Sequence, residues 1–225
     1  IPEGLPAAVT ITLAVGVNRM AKKKAIIRKL PAVETLGSTT VICSDKTGTL
    51  TENQMTVKKI FAGNNFYEVE GNGYAPEGML LHEGKAITGE LPFPLREALL
   101  AGLLCNDSRL VQEENLWRIE GDPTEGALIV AALKAYIKPE KIKKEMYRLD
   151  EIPFESERQF MATLHEIKAD GGKIIYIKGA VEKILEACSD NIYMEEGRAT
   201  LNKDDIFDKA DLMAQDGLRV LALAR

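Results

Sequence analysis

Thr40-Val41-Ile42-Cys43-Ser44-Asp45-Lys46-Thr47-Gly48-Thr49-Leu50-Thr51 is a β-branched run that ends in an aspartate and a Gly-Thr turn. Thr40 to Ser44 lacks the polar alternation of a half-solvated strand, so it is expected to be a strand covered on both faces, as in a parallel sheet. Asp45 then falls at a strand's carboxyl end, where open α/β sheets gather ligands and catalytic groups. A carboxylate is a weak nucleophile. It becomes useful toward a phosphoryl group when Mg²⁺ screens the mutual repulsion and when amides of a tight turn hold the incoming oxygens. Gly48, with the hydroxyl-bearing Thr47, Thr49 and Thr51, supplies such a turn. Thr47, two places after Asp45, cannot serve as a base toward water at neutral pH, so a phosphoaspartate on Asp45 is expected to persist.

Toward the N-terminus, Ile1 to Val17 carries a single ionisable group, Glu3, and is followed by Arg19, Lys22, Lys23 and Lys24. The apolar run is slightly short of the about 20 residues of a full span, and the basic cluster after it is what the positive-inside rule places on the cytosolic side. A secretory signal has the opposite order, with its basic residues first. A buried helix of a soluble protein is the other reading of the same run. Ala25 to Ile27 then reads as a short strand, and Pro31 to Thr35 as a helical turn that stops at Gly37.

Toward the C-terminus the pattern changes near Met55. Val57 to Ala62 and Phe66 to Val69 read as strands joined by Gly63-Asn64-Asn65, and Gly71 to Gly89 as a surface loop. Leu95, Leu99 and Leu103 form a helical stripe, and a second helix is expected from Pro123 to about Tyr136. Asp122 as N-cap, Pro123 at the first position and Glu125 at the third make a capping-box arrangement. Met161 to Ile167 and Lys173 to Ile177 pair across Asp170-Gly171-Gly172. A helix follows from Ala180 to Cys188, Asn202 caps another that Gly217 ends, and Leu218 to Ala224 reads as a last strand. The charged run Lys138 to Arg148 reads as a solvated helix face without a function.

Composition narrows the partners. The 225 residues are 45% hydrophobic and carry a net charge of −5, enough apolar content for a core and the wrong sign for a nucleic-acid surface. Any nucleotide partner is therefore small and locally coordinated. Cys43, Cys105 and Cys188 are odd in number and far apart, which fits a reducing setting better than a disulfide framework or a zinc site.

The segment Asp45-Lys46-Thr47-Gly48-Thr49-Leu50-Thr51 resembles the phosphorylation motif of P-type ATPases. Pro2-Glu3-Gly4-Leu5-Pro6 resembles the broken transmembrane helix of their type II cation pumps, of which the sarcoplasmic-reticulum calcium pump is an example. Gly121-Asp122-Pro123-Thr124-Glu125, Lys178-Gly179-Ala180 and Gly217-Leu218-Arg219 resemble their nucleotide-domain signatures, in family order. The resemblance implies an α/β fold: the start of a haloacid-dehalogenase-like, Rossmann-like phosphorylation domain, then an α+β nucleotide-binding domain with an antiparallel sheet flanked by helices. Residues 1–24 would be the cytosolic half of a transmembrane helix and its exit. Residues 25–55 would begin the phosphorylation domain, and residues 56–225 would be the nucleotide domain, lacking its last strand.

The resemblance also implies roles. Asp45 is phosphorylated by ATP, its carboxylate and the Thr47 carbonyl hold Mg²⁺, and Lys46 lies beside the site. Phe154, which its own surroundings would make a core aromatic, stacks on adenine. Glu125 accepts from the exocyclic amine, Lys178 with Gly179 closes the cleft, and Arg219 reaches the phosphates. The calcium pumps have an Arg where Ser156 stands and a Lys where Gln159 stands, so the local positive charge is lower here, with Arg158 as a partial substitute. Glu3 is the implied intramembrane ligand of a transported cation, Ca²⁺ or Mn²⁺, in a membrane protein whose residues 25–225 are cytosolic. Two other classes remain open: a soluble phosphatase of the dehalogenase type, opposed by Thr47 and the membrane-like start, and an ATP-binding module without turnover.

Overall fold

Residues 4–29, 31–114, 116–192 and 197–225 are described by the computed structural model, in which the chain divides after Glu52 into two units. The first contains helix α1, Gly4–Lys22, and helix α2, Pro31–Gly37. α1 runs on through Arg19 to Lys22, so the apolar run belongs to a 19-residue element about 28 Å long at 1.5 Å per residue. By length and composition α1 is able to cross a membrane, and it buries none of its residues. Thr10 and Thr12 return their hydroxyls to the carbonyls of Pro6 and Ala8, each at 2.8 Å, which removes two polar groups from its surface.

Two strands expected in this unit are not formed. After Lys24, whose φ of +64° ends the helix, Ala25 to Ile27 has no regular structure, and Ile26 is exposed. Thr40 to Ser44 is likewise unpaired, with Ile42 88% exposed rather than covered on both faces. A β-branched run has strand propensity, but a strand exists only where neighbours complete its ladder, and no described residue pairs with this one. A parallel, Rossmann-like sheet is accordingly absent among the described residues.

The second unit begins with a meander. β1, Lys59–Ala62, and β2, Asn65–Val69, turn through Gly63 and Asn64, whose φ of +58° and +62° meet the two-residue hairpin requirement. The stretch expected as a loop holds β3, Leu80–His82, and β4, Lys85–Ala86, joined through Glu83-Gly84, with Tyr74 and Leu80 buried. Strands of three and two residues are too short for alternation to be read from sequence. Helix α3, Phe93–Leu104, follows, then an unanticipated hairpin of β5, Arg109–Glu113, and β6, Leu116–Glu120.

Helix α4, Pro123–Lys134, starts at the expected cap, and α5, Pro139–Glu145, takes only the first part of the charged run. The remainder of that run enters β7, Met146–Glu155, which pairs with β8, Phe160–Ile167, and β8 with β9, Lys173–Gly179. Helix α6, Val181–Ala187, a small hairpin of β10, Asp190–Ile192, and β11, Arg198–Thr200, helix α7, Lys203–Gln215, and β12, Ala222–Ala224, complete the chain. The main sheet is antiparallel throughout, in the order β12-β9-β8-β7.

α3 and α4 form a layer between this sheet and the β1–β4 meander. On one side Leu95 and Leu99 of α3 and Ala131 and Ala135 meet Tyr67, Val69 and Leu80. On the other, Leu100, Leu103 and Leu104 of α3 and Ile129 and Ala132 of α4 meet Met161 and Tyr176 of the main sheet. A helix packed on both sides is apolar around most of its girth, which is why its leucines exceed the single stripe read from the sequence.

Candidate functional site

The end of α3 and the start of α4 meet over β9. The β5–β6 hairpin returns the chain from Cys105 to Asp122, so the loop Cys105-Asn106-Asp107-Ser108 lies against the first turn of α4. Asp122 caps that turn by accepting from the amides of Thr124 and Glu125 at 2.8 and 3.1 Å. Gly121 makes the approach possible. With φ of +122°, it would place a Cβ 3.0 Å from the Ser108 Cα, so only glycine fits.

Glu125 does not close the capping box. Its Oε2 turns to the loop and accepts from the amides of Asp107 and Ser108 at 2.9 and 3.0 Å and from the Ser108 hydroxyl at 3.0 Å. Its Oε1 pairs with the Lys178 ammonium, which also donates to the Cys105 carbonyl at 2.5 Å. Asn106 ties the same loop down by donating to the carbonyls of Gly102 and Glu125. The ion pair is nearly enclosed, with side-chain exposures of 9% for Lys178 and 14% for Glu125. Burial of this depth is tolerated when both charges are paired and hydrogen-bonded, and here they are. A carboxylate has about four lone-pair positions. Two of them belong to each oxygen, so Oε1, which accepts from Lys178 alone among the described residues, is able to accept from one more donor.

Arg148 of β7 completes the frame. Its Nη2 donates to the carbonyls of Leu104 and Asn106 at 2.9 and 2.7 Å, and its Nη1 to Asp107 and Glu151 at 2.6 Å each. Burial pulls its pKa down, yet its bonds to the Asp107 and Glu151 carboxylates, and their charge, outweigh that and hold it above its ordinary value. Behind the loop, burial pushes the Cys105 thiol up against the opposing influence of Lys178, which makes it a poor nucleophile.

The structure brings together some of the residues expected in the site and leaves others apart. Glu125 and Lys178 are partners, and Gly179 follows Lys178 at the end of β9, where an added Cβ would lie 2.8 Å from the Phe160 Cα of β8. Phe154 is on β7 and 55% exposed, which is not the burial of a core aromatic. Arg158 folds back onto its own turn, donating to the Pro153 carbonyl at 3.3 Å and pairing with Glu155 at 2.8 Å. Arg219 is exposed and lines a mainly apolar cleft of about 940 Å³ walled by β1, α3, α4, β9, α6 and α7, whose lining includes Thr124 but neither Glu125, Phe154 nor Lys178.

Asp45 belongs to the first unit. It is exposed and extended, with ψ of 145°, immediately before a single wide turn over Lys46–Leu50 in which Gly48 takes φ of +74°. Glu3 lies outside the described residues. Asn106, Ser108 and Arg148 escaped sequence reading. The signal available for the first two was a polar Asn-Asp-Ser cluster directly after an apolar helix; Arg148 was hidden in a charged run.

The family described as P-type ATPase, cytoplasmic domain N, matches residues 94–225, which hold every member of the Glu125 frame. The chain is 52% identical over its whole length to a protein named cation-transporting ATPase pma1 of Synechocystis, covering 25% of that protein. It is 40% identical to the calcium-transporting ATPase of Bacillus subtilis, covering 100% of the chain and 25% of the relative. With the human calcium-transporting ATPase type 2C member 1 it shares 42% identity, over 100% of the chain and 24% of the relative. It thus spans about a quarter of the length of the curated relatives it matches. Matched over more than half its length by that cytoplasmic domain, and along all of it by cation-transporting ATPases, the chain belongs to the P-type ATPase family.

Proposed function

We propose that the full-length protein is an ATP-driven cation pump working through an aspartyl phosphate, and that this chain supplies the phosphorylated Asp45 and the domain that holds ATP. The observation that carries the reading is the Glu125–Lys178 pair, fixed by loop amides and left with one acceptor position on Oε1. That position suits the exocyclic amine of adenine. The exposed ring of Phe154 offers a stacking face, while Lys178 and the Gly179 turn close the pocket's floor. Arg158 and Arg219 would serve the phosphates.

Asp45 acts as the nucleophile: a carboxylate oxygen attacks the γ-phosphorus, the bond to the β,γ-bridging oxygen breaks, and ADP leaves with that electron pair. Mg²⁺ screens charge between the anions when bound. An ion that keeps its waters and substrate phosphates asks only one or two carboxylates of a protein, and Asp45 with the Thr47 carbonyl fits that demand. Lys46 lies next to the nucleophile. Thr47 in place of a second acid preserves the acyl phosphate, which separates this protein from the dehalogenase-type phosphatases.

The domain division follows: residues 1–24 the cytosolic half of a membrane helix and its exit, 25–55 the start of a phosphorylation domain of Rossmann-like fold, and 56–225 the nucleotide domain in the cytosol. The unburied apolar faces of α1 and its self-satisfied threonines support membrane placement. Glu3 would then be an intramembrane ligand, and the names of the relatives favour Ca²⁺, with Mn²⁺ of similar ligand chemistry. The test is phosphorylation of the full-length protein by γ-labelled ATP. Acid-stable, hydroxylamine-sensitive label is expected, and it is expected to vanish in Asp45→Asn; label that survives in that variant overturns the assignment.

A further inference from the structure

Arg148 reaches from β7 to three residues of the turn that follows α3 and holds Glu125. Its guanidinium bonds the carbonyls of Leu104 and Asn106 and the carboxylate of Asp107, while Glu151, three residues along β7, holds the fork from the other side. The segment it grips is the one whose amides at Asp107 and Ser108 fix Glu125 Oε2 and whose Cys105 carbonyl accepts from Lys178. Nothing else on β7 reaches this loop through hydrogen bonds among the described residues. Peptide carbonyls at a helix's end are otherwise left without donors, and a planar five-donor group is suited to collecting two of them together with a carboxylate. A lysine presents a point charge and cannot span these acceptors in one plane.

We infer that Arg148 is a positioning residue of the adenine end of the nucleotide site: it clamps the Leu104–Asp107 turn so that Glu125 and Lys178 are preset for the base. The inference rests on the adenine-pocket reading above. It gives a role to the end of a charged run that the sequence marks only as solvated, and it predicts that Arg148 acts through Glu125 rather than on the ligand.

The test is calorimetric titration of the 225-residue chain with ATP, AMP and adenosine, in a double-mutant cycle of Arg148→Lys and Glu125→Gln. Arg148→Lys is expected to weaken all three ligands by the same factor, about tenfold, the effect of charge-assisted hydrogen bonds lost from a frame. In the Glu125→Gln background it is expected to cost nothing further, a coupling that a merely stabilising residue would not produce. Asp107→Asn removes one arm of the clamp from an exposed position and keeps the test open if the lysine variant fails to fold. It is expected to weaken adenosine about threefold, again only while Glu125 is present. Unchanged affinity in both variants, or losses equal with and without Glu125, overturns the inference while leaving the pocket standing. A wild-type chain that takes up none of the three ligands overturns the pocket reading and the inference with it.

Discussion

Phe154 illustrates how one residue's exposure selects between two roles. A core phenylalanine truncated to alanine costs about 3 to 5 kcal/mol of stability, whereas a base-stacking aromatic loses about 1 to 3 kcal/mol of affinity. At 55% exposure on β7 the ring has little packing to lose. Phe154→Ala is therefore expected to melt near the wild-type temperature and to weaken ATP, ADP and AMP alike, because stacking ignores phosphates. Arg219→Ala is expected to penalise ATP more than AMP. Titration of both variants beside their thermal melts checks this, and a Phe154→Ala protein that binds normally but melts early would return the ring to a packing role. Glu125 teaches the complementary lesson. Its position, three residues after Asp122, is that of a capping box, yet three loop donors and Lys178 claim its carboxylate instead. Local spacing indicates what a side chain is able to do, and the strongest donors within reach decide what it does.

At the scale of elements, β9 carries the site's most demanding backbone contact. Gly179 pairs with Phe160 in the ladder so closely that a Cβ would stand 2.8 Å from the Phe160 Cα, and this neighbour is backbone that cannot swing aside. Gly179→Ala is expected to cost about 1 to 3 kcal/mol through overpacking. Because Lys178 precedes it directly, the shift that relieves the clash is also expected to loosen the Glu125 pair and weaken adenosine. Urea unfolding and adenosine titration of the same variant read both effects, and an alanine variant as stable and as tight as wild type would contradict the geometry. The long hairpin of β8 and β9 and the capped start of α4 were legible in sequence, since Asp170-Gly171-Gly172 and Asp122-Pro123 are local devices. The β3–β4 and β5–β6 hairpins were not: β3 and β4 are three and two residues long, and β5 and β6 bury none of their residues, so no apolar run marked them.

For the molecule as a whole, both hydrophobic cores and every bond of the Glu125 frame lie in residues 53–225. That portion is expected to fold alone, unfold cooperatively and bind adenosine as the 225-residue chain does; loss of affinity on removing residues 1–52 would show that the first unit takes part in holding the base. The sequence by itself determined the family, through five short motifs in order, and with it the chemistry expected of Asp45, because a nucleophile, its turn and the missing second acid are all contained in seven consecutive residues. It also determined the helix caps and turns, whose hydrogen bonds close within a few residues. Only the tertiary structure decided that Thr40–Ser44 stays unpaired among the described residues and that Arg148 braces the turn holding Glu125. Both depend on partners dozens of residues away: a strand needs a neighbouring ladder, and the Glu125 frame needs groups brought together from α4, β7, β9 and the turn after α3, so neither is encoded in the spacing of adjacent residues.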